Sequence, residues 1–449
     1  MNSFFPRTFN RDCPIVESAR GVWLKDKQGN DYFDGSCGAI VTNIGHGVPE
    51  IEEAVIEQVK KVAYAHTSQF WSEPALKLSE KLISMAPSNF KNGRVYLTSG
   101  GSESVETALK MARAFYVQRG EHSRNIIISR RQSYHGATIG ALSATGHPAR
   151  RKPYLSLLKP PTLIPADYRY RCRCGYGPGS CSKEQCSISL ADELEEAILL
   201  YGEENIAAFI AEPISGASLG AAVPGETYWP RIREICSKYG ILMLVDEVMV
   251  GLGRTGTTFA IEHWNVIPDM IVLGKGLAAG YQPLGAVLAS EEIVEAFKKN
   301  SGTFEHGYTY NGHPVASAAG LAVLEYLDKN NLVKRVQAAQ SSFFNRLESF
   351  KYYPFVGDIR GKGFFAGIEF VKNKENKAPF EKELAFSGKV ASEAARAGVL
   401  VYPGKGFLDG NRGDHILVAP PFVSTEEELD ELFLRLKTAF DQVLTVIST

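Results

Sequence analysis

A chain of 449 residues, 44% of them hydrophobic, is too long for one compact core and has ample apolar content for more than one. Its 49 Lys and Arg nearly cancel 50 Asp and Glu, leaving a formal charge of −1 and no electrostatic footprint for nucleic acid or an anionic membrane. The longest apolar runs, such as ILMLV, fall far short of the ~20 residues of a spanning helix, and MNSFFPRTFNRD has no leader pattern, which points to an untargeted cytoplasmic protein.

In chain order, GVWLKDKQGNDYFDG reads as a hairpin turning at Gln28-Gly29-Asn30-Asp31. RVYLT (94–98) then meets Ser99-Gly100-Gly101-Ser102 and a segment in which Val105, Leu109, Ala112 and Phe115 repeat at helical spacing: strand, glycine turn, helix. NIIIS (125–129) precedes Ser133-Tyr134-His135-Gly136. AAFIA (207–211) ends at Glu212-Pro213, ILMLV (241–245) at Asp246-Glu247, and MIVLG (270–274) at Lys275. Apolar runs alternating with helical spacing predict βαβ units, an α/β fold and a mostly parallel sheet whose strand ends bring these polar groups to one crevice. From about Leu321 a long amphipathic helix running to Phe350, short runs such as FFAGIEFV and HILVAP, and a charged helix STEEELDELFLRLKTAFDQVL predict a smaller α+β unit. The division expected is residues 1–60 and 326–449 in a small domain and 61–325 in a large one.

Seven cysteines, sparse and odd in number, fit free thiols in a reducing compartment better than a disulfide framework. Four of them, Cys172, Cys174, Cys181 and Cys186, crowd one loop. Four thiolates would suit zinc, but C-x-C-x6-C-x4-C is no standard zinc spacing, and the plainer expectation is no metal, with cysteines acting as small apolar residues.

The stretch LVDEVMVGLGRTG carries Gly251-x-Gly253-x-x-Gly256, the spacing of a dinucleotide fingerprint. Its strand ends too early, TTFAIEHW is a weak helix, and Asp269 begins a strand instead of ending one, so a nicotinamide-dependent dehydrogenase is disfavoured. LMLVDE imitates the magnesium-binding strand of phosphate-loop ATPases, but no G-x-x-x-x-G-K-[ST] accompanies it. What remains is a carboxylate, Asp246, and a glycine-flanked lysine, Lys275, at two strand ends. A partly desolvated lysine is a competent nucleophile able to form a Schiff base. A carboxylate facing a pyridine nitrogen keeps that ring protonated, and Gly100-Gly101-Ser102 at a helix N-terminus offers N–H groups to a phosphate. With Tyr134 to stack on a ring, the set describes pyridoxal 5′-phosphate (PLP). Singly, each residue has a plainer role: Asp246 a cap or ion-pair partner, Lys275 a surface charge, Glu212 the end of a strand, His135 and His306 satisfied hydrogen-bonding side chains.

The motifs SGGSESVETALKMAR, SYHG, FIAEP, LVDEVMVGLGRTG, PDMIVLGKG and HGYTYNGHPVASAAG, in that order, resemble the class III aminotransferases, fold type I PLP enzymes that include ω-amino acid and amine transaminases. The resemblance spans nearly the whole chain. It implies a mixed, mostly parallel sheet of about seven strands flanked by helices, with a smaller α+β domain. In the site it implies that Lys275 carries the cofactor and shuttles the proton, Asp246 pairs with the pyridine nitrogen, and Val248 and Tyr134 enclose the ring. Gly101 and Ser102 would hold the phosphate, His135 and Glu212 would lie beside the cofactor, and Thr309 would reach the phosphate in the neighbouring subunit of a homodimer. The implied reaction passes an amino group from an amine or ω-amino acid through pyridoxamine phosphate to pyruvate or 2-oxoglutarate. A racemase, aminomutase or non-catalytic PLP binder on the same scaffold is the alternative. Relatives acting on 4-aminobutyrate or ornithine carry an arginine where Ala137 follows YHG, and amine–pyruvate members place a tryptophan near Ile40. Ile40 and Trp71 are therefore expected at the substrate pocket, and Arg412, just before Gly413-Asp414-His415-Ile416, as the arginine that clasps a carboxylate.

Overall fold

A computed structural model of the chain describes residues 3–9, 12–172 and 182–448. At its centre lies a seven-stranded sheet. Its members are β4 (Arg94–Thr98), β5 (Ile126–Arg130), β6 (Thr162–Ile164), β7 (Ile206–Ala211), β8 (Leu242–Asp246), β9 (Met270–Leu273) and β10 (Gly285–Ala289), in the order β4-β10-β9-β8-β7-β5-β6. Strands β5 to β9 run parallel, whereas β10 lies antiparallel to both β4 and β9. Every residue of β7, β8, β9 and β10 is buried, as helices on both faces require of an unbroken apolar run. One cover is the helix Gly101–Gln118, whose Val105, Ala108, Ala112 and Phe115 pack inward while Leu109 is partly buried.

The ends of the chain form two further sheets. The N-terminal hairpin is the last two strands of a three-stranded antiparallel sheet, β1 (Val16–Arg20), β2 (Trp23–Asp26) and β3 (Asp31–Phe33). Its turn is held by Asp26, whose carboxylate accepts from Gln28 N, Asn30 N, Asn30 Nδ2 and Tyr32 Oη at 2.9–3.0 Å. The C-terminal sheet is antiparallel, in the order β11 (Val356–Lys362), β12 (Phe365–Phe370), β14 (Asp414–Val418), β13 (Tyr402–Lys405). Backbone bonds join the two ends: Phe33 N to Gly398 O at 2.8 Å, Leu400 N to Phe33 O at 2.9 Å and Ala419 N to Gly35 O at 2.7 Å.

One expectation needs correction. The amphipathic pattern from Leu321 to Phe350 is two helices, Pro314–Lys329 and Leu332–Glu348, broken where Asn331 takes a left-handed conformation at φ +51°. Asparagine tolerates that region, and the apolar spacing continues across the break, so periodicity alone reads through it. Among the described residues, no helix is long and apolar enough to cross a membrane.

Candidate active site

Register brings the polar strand ends together. Ala211 of β7 pairs with Val245 of β8, so Glu212 and Asp246 follow side by side, and Asp246 pairs with Val272 of β9, shortly before Lys275. All three emerge at the carboxyl edge of the sheet, where an open α/β fold builds its crevice.

The fourth wall is the loop after β5. His135 is buried, and its Nδ1 lies 2.7 Å from Asp246 Oδ2, an imidazole N–H donating to the carboxylate. Asp246 Oδ1 accepts from Val248 N at 3.1 Å. The helix Gly101–Gln118 anchors that loop: Ala137 N donates to Ser102 Oγ at 3.0 Å, while Glu106 Oε2 accepts from Thr138 Oγ1 at 2.6 Å and Ala141 N at 3.0 Å. Having accepted one bond, the Ser102 hydroxyl still has a proton to donate.

Close packing explains the glycines. A Cβ on Gly101 would stand 2.7 Å from Val248 Cγ1, and one on Gly136 would stand 2.9 Å from Ser102 Oγ. A Cβ on Gly274 would meet Gly101 N at 3.1 Å. Helix start, SYHG loop, the turn after Asp246 and the approach to Lys275 thus touch one another through glycine backbone. The N-cap of the helix, Gly100, makes no side-chain capping bond, so the first-turn N–H groups and the positive end of the dipole face the crevice.

The charges are tuned by burial. Lys275 Nζ makes no hydrogen bond or ion pair among the described residues. Burial pushes its amine down to about 8 from an ordinary 10.5; Asp246 and Glu212 hold the proton on, and the Arg150 charge opposes it. Its backbone sits at φ +43°, a conformation lysine rarely adopts. Burial likewise raises Glu212, with His135 pulling it down and Asp246 pushing it up. Glu212 Oε1 accepts from Gly216 N at 3.0 Å, while Glu212 Oε2 and His135 Nε2 are buried without a partner among the described residues. An amine able to lose its proton near neutrality, a carboxylate held by an imidazole, and a backbone cradle at a helix start are the donor set for a phosphorylated pyridine aldehyde.

The comparisons agree. The chain matches the family "Aminotransferase class-III" over residues 8–440. It belongs to the class III aminotransferases. This transaminase is 39% identical to the aminotransferase YodT of Bacillus subtilis, over 93% of each chain. It is 34% identical to the putrescine–pyruvate aminotransferase of Pseudomonas aeruginosa, over 96% of this chain and 91% of that one. Among solved structures it resembles an (S)-enantioselective ω-transaminase from Thermomicrobium roseum, with a TM-score of 0.90 and 37% identity over 98% and 96% of the two chains. An amine transaminase from an uncultivated Pseudomonas species, solved with PLP bound, gives 0.90 and 33% over 98% and 99%. The class III aminotransferase is thus PLP-dependent, with the fold type I architecture, and the cradle and buried groups described above fit that cofactor.

The other anticipated residues have the following surroundings. Thr309 is exposed, with its carbonyl accepting from Tyr64 Oη at 2.9 Å. Trp71 is 78% exposed, whereas Ile40 is buried at 3%, with φ +59°. Arg412 pairs with Asp409, Nε to Oδ2 at 2.8 Å, on the loop before β14. Of the four cysteines expected on one loop, Cys186 lies buried in the helix Lys183–Tyr201 with its Sγ 2.9 Å from that of Cys172, and Cys174 and Cys181 lie outside the described residues. No cluster of three or more metal-ligating side chains occurs among the described residues.

The glycine-rich turn after Asp246 has its own role. Leu252, Gly253 and Gly256 take positive φ, and the turn delivers Arg254 into the interior, where Nη1 donates to Phe364 O at 3.0 Å and Pro420 O at 2.6 Å. It ties the central sheet to the C-terminal segments. Three residues at the site gave no sequence signal: Glu106; Asn43, whose amide stands 2.9 Å from where a Cβ of Gly276 would be; and Arg150. Only a basic Arg-Arg pair marked the last, and such pairs ordinarily face solvent.

Proposed function

We propose that this aminotransferase moves the amino group of a primary amine or ω-amino acid to a keto acid, pyruvate or 2-oxoglutarate, in two half-reactions at the crevice between Lys275 and Asp246. Bound there, PLP supplies the electron sink that lets the amino group leave its donor. The reading is carried by the Lys275 amine, lowered to about 8, just past the end of the strand next to a buried, imidazole-held Asp246. With PLP bound, Asp246 would pair with the pyridine nitrogen and His135 would keep that carboxylate oriented. Gly101, Ser102 and the helix start would hold the phosphate, Val248 and Tyr134 would enclose the ring, and Glu212 would lie beside it. Lys275 Nζ, neutral in part at neutral pH, takes the proton from the donor carbon and returns it on the other side of the transfer.

The residues expected around the substrate support a donor without an α-carboxylate. Ala137 leaves the post-YHG position uncharged, with Ile40 and Trp71 as pocket candidates. The putrescine–pyruvate and ω-transaminase relatives support an amine donor. Exposed Phe70, Trp71 and Tyr310, beside Tyr64 and Thr309, support a homodimer in which Thr309 serves the partner's phosphate site. Sparse cysteines, with the Cys37 and Cys236 thiols buried and pushed up to about 12, support a reducing cytoplasm.

The test is a panel of amines, diamines and ω-amino acids against pyruvate and 2-oxoglutarate, with Lys275→Ala as control. Keto-acid-dependent turnover, reduced several orders of magnitude in K275A, is expected. Turnover of a single substrate without any acceptor would refute transamination in favour of an isomerisation.

A further inference from the structure

We infer that Arg150, not Arg412, is the arginine that takes the carboxylate of the keto acid acceptor. This deepens the functional reading above and rests on it. Arg150 lies in the short turn of helix Pro148–Arg151 that closes the loop begun by SYHG. Its Cζ sits 4.5 Å from the centre of the Tyr134 ring, the ring that flanks the cofactor site.

The turn is built to hold that side chain in place. Its neighbour Arg151 is buried and spends Nη1 on the carbonyls of Leu142, Ser143 and Thr145, at 3.0, 2.6 and 2.8 Å. On the other side, buried His147 places Nε2 3.1 Å from Lys405 O, and Gly410 packs against Pro148 and Ala149. The backbone around Arg150 is thus clamped between the cofactor loop and the C-terminal sheet, while its guanidinium is not committed. It makes no ion pair among the described residues. A π face holds a cation without neutralising it, so the full positive charge and its fork of donors remain for a ligand.

The Arg150 charge acts on the Lys275 amine. Arg150 is one of the groups felt by the Lys275 amine, together with Asp246 and Glu212. Those two carboxylates would repel an incoming anion, and Arg150 is the cation that offsets them. Arg412 is in a different position: its Nε is paired with Asp409 on an exposed loop, so recruiting it requires breaking an ion pair first. The arrangement also explains how one site accepts substrates with and without a carboxylate. An uncharged amine leaves the guanidinium on Tyr134, whereas a keto acid draws it off into a bidentate pair.

The experiment uses the holoenzyme and its R150Q, R150K and R412Q variants. Each is loaded with amino groups by a good amine donor and mixed with pyruvate or with propanal, which lacks the carboxylate, and the cofactor absorption is followed through one half-reaction. The ratio of pyruvate to propanal efficiency is expected to fall ~10- to 100-fold in R150Q, less in R150K, and by under about threefold in R412Q. Propionate, which cannot react, gives a second readout: its dissociation constant, measured by calorimetry, should rise ~10-fold or more in R150Q alone. An unchanged ratio and an unchanged propionate affinity in R150Q, or the loss appearing in R412Q instead, would overturn the inference. If the parent enzyme transfers to neither carbonyl, the transamination reading fails by itself, and propionate binding still decides the role of Arg150.

Discussion

The Lys275 amine can be titrated directly, and the groups around it set the sign of every change. Burial and the Arg150 charge lower its proton affinity, whereas Asp246 and Glu212 raise it, for a net value of about 8. At pH 7 such an amine is ~10% neutral, against ~0.04% for an ordinary lysine near 10.4, a gain of roughly 200-fold in nucleophile. Asp246→Asn removes an anion that stabilises the ammonium, so the midpoint should drop further, to about 7 or below. Arg150→Gln removes a repelling cation, so the midpoint should rise. The assay is competitive labelling of the cofactor-free protein with isotopic acetic anhydride from pH 6 to 11, with the Lys275 peptide quantified by mass spectrometry. A midpoint near the ordinary lysine value would show that desolvation does not govern this amine, and an upward move in D246N that Asp246 does not hold its proton.

Three further outcomes follow from the packing around it. Gly101→Ala places a methyl 2.7 Å from Val248 Cγ1 and should cost about 1–3 kcal/mol in denaturant unfolding, much of it recovered by adding Val248→Ala. A simple sum of the two single effects would exclude that contact as the cause. His135→Leu leaves the buried Asp246 carboxylate without its imidazole and should cost about 1–3 kcal/mol, an effect absent when Asp246 is already Asn. Glu247 is buried against Ala260 N and Ile261 N, at 3.0 and 2.9 Å, with burial raising its carboxyl to about 8 from 4.5. The folded chain then binds the extra proton between those values and the unfolded chain does not, so this group's stabilisation is full below about 4.5 and lost as pH climbs through 8. Chemical denaturation of Glu247→Gln across that range should show a flatter profile than the parent, and identical slopes would refute the assignment.

Much of this site was legible because its parts lie at the ends of unbroken apolar runs. Strands β7, β8 and β9 announce themselves by composition, and the polar residue that stops each run is the one presented to the crevice. Strand β10 gave no comparable signal: GAVLA is short, its residues are small, and its antiparallel direction depends on pairing with β4, far away in sequence. The break at Asn331 was hidden by a pattern that stays in phase on both sides. Arg150 and Asn43 were invisible for a different reason. Their importance lies in which neighbours lack partners, and spacing in a sequence does not encode the absence of a partner. The dinucleotide spacing in GLGRTG, set aside because its strand ends too early, belongs to a turn whose glycines bury Arg254.

The backbone of Lys275 joins these two kinds of information. Its φ of +43° belongs to the region where glycine is free and any other residue costs on the order of 1–2 kcal/mol. Glycines stand on both sides of it, at Gly274 and Gly276, so the local chain is already built for unusual conformations, yet the left-handed position itself is held by a lysine. Stability alone would favour a glycine there. A lysine that tolerates both backbone strain and the desolvation of its ammonium makes sense when the amine, delivered at that point and at that proton affinity, is what the surrounding sheet positions.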